Sequence, residues 1–173
     1  MKIRFWGTRG SIPSPLKPGD VEDKICQAIR TVWQMPGVDT TDLDAVLATV
    51  AELPYMVRGT AGGNTPCVEV QAAGETLILD AGSGLFQLGL DLMEGPCGRG
   101  QCTLHLLMSH CHWDHIQGFP MFMPAFVPGN RIFIYGVHDV ERVFERQQDI
   151  LTWPVSLSYM QAEKEFVKLQ PEQ

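Results

Sequence analysis

The feature that most constrains this chain is a junction. Thr103-Leu104-His105-Leu106-Leu107-Met108 is a near-continuous apolar run that passes without a linker into Ser109-His110-Cys111-His112-Trp113-Asp114-His115. Such a run suits a buried central strand, which commits the chain to a sheet with a neighbour on either side. The polar segment therefore begins where a strand delivers the backbone into a loop, a place where rigid structure positions reactive side chains.

His110, His112, Asp114 and His115 lie within six residues. In extended backbone, side chains two apart point the same way, so His110 and His112 can grip one metal ion. If the chain then turns into a helix, Asp114 and His115 project differently and can hold a second ion. Imidazole and carboxylate suit zinc best, with manganese or iron as the alternatives. Two ions about 3.5–4 Å apart can share a hydroxide, lower its pKa and clamp an in-line displacement. His105 lies on the strand and reads as a hydrogen-bonded core histidine. His138, after Tyr135-Gly136-Val137, also falls outside the set.

The rest of the chain reads as mixed α/β. Lys2-Ile3-Arg4-Phe5-Trp6 alternates as a strand and runs into a turn at Gly7–Pro13. Two amphipathic helices follow. One opens at Asp20 with Val21, Ile25, Ala28, Ile29, Val32 and Trp33 on a single face and stops at Met35-Pro36-Gly37. The other starts at Thr41, with Asp44 completing a capping box, and turns Leu43, Val46, Leu47, Val50 and Leu53 inward. After a glycine-rich loop, Cys67–Gln71 and Thr76–Leu79 form a hairpin across Ala73-Gly74-Glu75. Leu85–Met93 is a short helix, Arg131–Gly136 a strand, Asp139–Ile150 a helix capped by its aspartate, and Phe166–Leu169 a last strand.

Composition matters at three points. The net charge of −7 argues against a broad nucleic-acid-binding face. No apolar run is long enough to span a membrane and no secretory leader is visible, so the expected location is cytoplasmic. Five cysteines form an odd set without a disulfide framework, so Cys97 and Cys102, five apart, are expected to be reduced like the rest.

The H-x-H-x-D-H pattern after an apolar strand resembles the signature of the metallo-β-lactamase superfamily. Phe5–Pro13, Gly62–Val70 and Leu77–Gly84 precede it in the order found in one branch, the metal-dependent hydrolases allied to class II cyclic-nucleotide phosphodiesterases and tRNA 3′-processing nucleases. The resemblance implies a metallo-β-lactamase-like αββα sandwich over residues 1–173, incomplete at its C-terminus, with residues 20–53 as a helical insertion. It implies two divalent cations, His110 and His112 on the first and Asp114 and His115 on the second. Asp114 also orients the attacking hydroxide, and Asp80 supports the ligand loop. Asn64, with Gly62 and Gly63, brings backbone donors near a phosphate or simply closes a tight turn. Arg9 reads as an exposed loop arginine, and Cys111 alternates away from the ligands.

The same resemblance calls for a later histidine on the first metal, then a bridging aspartate and a final histidine. No histidine follows His138, and the only later aspartates are Asp139 and Asp149. The expectation is therefore the N-terminal half of a hydrolase that attacks a small phosphodiester, such as a cyclic nucleotide, with a metal-bound hydroxide. Its open sheet face would call for a homo-oligomeric partner or the missing C-terminal half. The alternatives are a non-catalytic metal-binding or assembly module and an RNA 3′-processing nuclease. The last would need a basic docking cluster, and Arg142, Arg146 and Lys164 are scattered among acids.

Overall fold

The computed structural model describes residues 1–60 and 63–170. They form two compact units, one of Met1–Ser14 with Asn64–Gln173 and one of Pro15–Gly63. Among the described residues no helix is long and apolar enough to cross a membrane.

The larger unit is a mixed α/β layer built on six strands in sequential order. They are β1 (Lys2–Gly7), β2 (Cys67–Ala72), β3 (Glu75–Leu79), β4 (Thr103–Leu107), β5 (Arg131–Gly136) and β6 (Glu163–Lys168). β1, β2 and β3 pair antiparallel, whereas β3 through β6 run parallel. The β2–β3 hairpin closes on a two-residue loop, Ala73-Gly74, with both residues at positive φ (52° and 86°). That is the twist a two-residue hairpin demands, and alanine meets it at some cost. The parallel strands return through α4 (Gly84–Met93), a loop containing the four-residue α5 (Trp113–Ile116), and α6 (Val140–Gln147). Asp139 caps α6 by accepting from Arg142 N at 3.2 Å. The helix ends at Gln147, three residues short of the expected limit.

One face of this sheet is sealed. Cys67, Ile78, Leu104, Leu106, Ile132 and Ile134 are buried there with Leu85, Leu88, Phe119, Phe122 and Phe144. Phe119 and Phe144 stack with ring centroids 4.0 Å apart. Glu69 is also buried and receives Arg4 Nη1 (3.4 Å), Trp6 Nε1 (3.1 Å) and Gln71 Nε2 (2.6 Å), so its charge is paired and hydrogen-bonded.

The other face of this unit is open. Ile3, Phe5 and Leu79 are exposed, while Leu77, Leu107, Phe133, Tyr135 and Val167 are half-buried. β4 therefore buries alternate residues rather than both sides, a correction to the buried-strand reading of its apolar run. His105 falls on this open face, stacked on Phe133 and bonded through Nδ1 to Tyr135 Oη at 3.0 Å, so it is not a core histidine. Its Nε2 lies 3.5 Å from Glu75 Oε2.

The second unit holds α1 (Pro18–Gln34), α2 (Leu43–Val50) and α3 (Tyr55–Arg58). Asp20 Oδ2 accepts from Lys17 N at 2.8 Å and Pro18 occupies the first turn, which fixes the start of α1 two residues earlier than expected. Asp42, rather than Thr41, caps α2, accepting from Asp44 N at 3.0 Å. Val32 and Leu53 are buried, but Val21, Ile25, Ile29 and Trp33 on α1 and Leu43, Leu47 and Val50 on α2 are exposed. The expectation that the second stripe turns inward is thus wrong for Leu43, Leu47 and Val50, and the single apolar face of α1 is mostly uncovered as well. Three short helices enclose too little volume to cover two full apolar stripes.

Candidate metal centre

The site is assembled where β3 and β4, neighbouring parallel strands, both end. Asp80, directly after β3, adopts φ 62°, a left-handed conformation that aspartate tolerates better than most side chains. Its backbone N bonds Leu107 O at 3.0 Å, and the next residues bind the loop after β4. Ala81 N donates to His115 O and Gly118 N to Ala81 O, both at 2.8 Å. A side chain at Gly118 would collide with the Gly82 carbonyl, and one at Gly82 would stand 2.5 Å from the Asp114 carbonyl oxygen. The two loops approach so closely that both positions require glycine.

This folding turns the Asp80 carboxylate onto the histidine-rich loop. Oδ1 accepts from Ser109 N and Oγ, each at 2.8 Å, and Oδ2 lies 2.8 Å from Ser109 Oγ and 2.9 Å from His115 Nδ1. A carboxylate oxygen accepts here, so Nδ1 carries the hydrogen, and Nε2 is the nitrogen that this orientation leaves for a metal. That Nε2 lies 3.5 Å from Asp114 Oδ2. Asp114 Oδ2 also accepts from Ser11 N at 2.8 Å, across the chain from the loop after β1. This donor is the main reason the Asp114 carboxyl is held below its ordinary value, with His115 and His110 adding to the effect. Asp114 thus stays ionised.

The three imidazoles are gathered. His110 and His115 have ring centroids 3.9 Å apart, and His110 and His112 meet edge to face at 4.6 Å. His112 is the residue before α5, and α5 carries Asp114 and His115, so these last two leave the loop in new directions. His138 is exposed beyond β5 and makes none of these ring contacts among the described residues. Cys111 is half-buried, and burial followed by the Asp80 charge raises its thiol pKa.

Two zinc donors on one ion at about 2.0–2.1 Å stand roughly 3.3 Å apart in a tetrahedron. The 3.5 Å between His115 Nε2 and Asp114 Oδ2 fits such an edge. Among the described residues no three His, Cys, Asp or Glu side chains converge on a common point. The donor chemistry and one pair of donors fit a divalent cation, but a full shell is not formed.

Asn64 is tied into the neighbouring loops. Its Nδ2 donates to Trp6 O (3.4 Å), its Oδ1 accepts from Ser83 Oγ (3.1 Å), and its carbonyl accepts from Thr8 N and Arg9 N. Arg9 is exposed. Gly62 lies outside the described residues. Ser109 and Ser11 were missed in the sequence. Ser109 adjoins the motif but has no spacing signal, and the Ser11 contact exists only because β1 ends near α5. Cys97 and Cys102, expected to be reduced, form a disulfide, with Cα atoms 4.8 Å apart. The short helical turn Pro96–Arg99 and Gly100 at φ 70° fold the intervening residues back on themselves.

No protein-family model and no curated protein matches the chain. Several solved chains are similar to it, two of them as follows. One, a new diphosphatase from the PhnP family, is 18% identical with a TM-score of 0.48, over 97% of this chain and 50% of that one. The other, the short form of human tRNase Z (ELAC1), is 18% identical with a TM-score of 0.47, over 96% of this chain and 44% of that one. The chain spans half or less of the length of each. At this identity and score the likeness bears on neither substrate nor activity.

Proposed function

We propose that this chain contributes the first part of a metal-dependent hydrolase site that cleaves a small phosphodiester such as a cyclic nucleotide. The observation that carries the reading is the line Asp80–His115–Asp114. A buried carboxylate bonded to one nitrogen of an imidazole fixes the tautomer that frees the other nitrogen for a metal, which is how ligand histidines are usually oriented. His110, His112, Asp114 and His115 would hold the ions, with zinc the best match to the donors and manganese or iron the alternatives. Divalent cations there supply Lewis acidity and an activated water. The chain's own residues do the rest. Asp80 and Ser109 hold the ligand loop, and Asp114, kept ionised by Ser11, remains a hydrogen-bond acceptor able to orient a nucleophile.

The net charge of −7 favours a small anion over RNA, which needs a basic docking surface. A second reading is a non-catalytic metal-binding or assembly module, and the exposed apolar side chains of α1 and α2 favour it. The test is elemental analysis of the purified chain, then assays of bis-p-nitrophenyl phosphate, cyclic AMP and a thioester with zinc or manganese. Hydrolysis abolished by Asp114→Asn supports the enzyme. Metal retention without turnover supports a metal-binding module, and a full-length protein that binds no transition metal refutes the hydrolase and leaves only an assembly module.

A further inference from the structure

α1 carries two adjacent rows of exposed side chains, and together they describe a partner. In a helix, residues four apart stack along one face. Val21, Ile25, Ile29 and Trp33 form the first row and are 42%, 54%, 60% and 71% exposed, far more apolar surface than a solvent-facing helix normally shows. The second row, one position further along, is Glu22, Cys26 and Arg30, all exposed. Neither Glu22 nor Arg30 enters an ion pair among the described residues, and Cys26 is a free thiol.

The second row is complementary to itself in one orientation only. Glu22 and Arg30 lie at equal distances on either side of Cys26 and carry opposite charge. Two α1 helices laid antiparallel about a two-fold axis at Cys26 would bring residues preceding Cys26 in one copy against those following it in the other. Glu22 would meet Arg30 twice, Cys26 would meet its own counterpart, and the apolar rows would close beneath. A parallel pairing would set Glu22 against Glu22 and Arg30 against Arg30, placing like charges together. We propose that two copies of this chain associate through α1 in this antiparallel, isologous arrangement. The inference is independent of the metal site.

The helix has 17 residues, so its length is about 25 Å. An interface confined to it lies at the small end of specific interfaces, and a dissociation constant on the order of micromolar is expected. The experiment is sedimentation of the full chain under reducing conditions from about 1 to about 200 µM, bracketing that constant. The expected result is a monomer–dimer equilibrium. Glu22→Arg and Arg30→Glu each replace two attractive pairs by two repulsive ones and should weaken it about tenfold. The double variant E22R/R30E should restore it. A short bis-maleimide should link the dimer, and the link should vanish in Cys26→Ser. All these positions are exposed on a helix, and circular dichroism will report whether each variant folds. A chain that stays monomeric throughout refutes the proposal. So does a dimer indifferent to the single swaps, a double variant that does not recover, or a dimer that Cys26 does not link.

Discussion

Asp80→Asn is a change of one atom type that tests how the candidate centre is held. Asp80 accepts from Ser109 N, Ser109 Oγ and His115 Nδ1, and it is almost fully buried. In the variant the amide oxygen keeps the Ser109 bonds by taking the place of Oδ1. The amide NH2 then faces His115 Nδ1, which must present a lone pair and move its proton to Nε2. Counting the His115 contact alone, a charge-assisted bond worth roughly 1.5–3 kcal/mol becomes a neutral one worth roughly 0.5–1.5, and the Ser109 bonds weaken as well. The net loss is at least about 1–2 kcal/mol of stability, or roughly 2–8 °C in Tm for a domain of this size. The functional effect is larger, because a protonated Nε2 cannot bind a metal. Losing such a supporting carboxylate lowers metal affinity about 10–100-fold. Urea unfolding of the metal-free proteins gives the first figure, and zinc titration against a competing chelator gives the second. Nitrogen chemical shifts of His115 report the tautomer directly. An Asp80→Asn protein with unchanged stability, tautomer and zinc affinity would refute the reasoning.

Three further outcomes are expected. Ala73→Asn at the first position of the hairpin loop relieves a left-handed alanine and should raise stability by about 0.5–1 kcal/mol in denaturant unfolding. Phe144→Ala removes a fully buried ring stacked on Phe119 and should cost about 3–5 kcal/mol by the same assay, enough to leave little native protein if overall stability is modest. Thiol labelling should find Cys26 first, because it is exposed. Cys67 and Cys111 have raised pKa values, chiefly from burial and then from nearby carboxylates, so at neutral pH they hold less thiolate than an ordinary cysteine. Their labelling should be slow at pH 7 and accelerate as pH rises, whereas an activated cysteine, already thiolate at pH 7, would gain little more.

Much of the fold was legible in short stretches of chain. The alternation in β1, the β2–β3 hairpin (its turn one residue shorter than expected, since Glu75 already belongs to β3) and the capping aspartate of α6 are interactions between residues a few positions apart, and local pattern reads them. The clustering of His110, His112 and His115 was legible for the same reason. Ser11 donating to Asp114 was not, because the two are 103 residues apart and meet only where β1 brings its loop to α5. The Cys97–Cys102 pairing was misread because spacing alone does not show that Gly100 folds that turn closed.

What the sequence by itself determined is which residues share a strand edge or a helix face, since that follows from backbone periodicity. Which face is covered was decided by tertiary structure alone. An apolar stripe is buried only if enough neighbouring surface exists to lie against it, and that depends on the whole unit. Leu104 and Leu106 found such a layer. His105, between them on the same strand, faces the open side, and Ile25 and Ile29 project from a helix too sparsely packed to cover them.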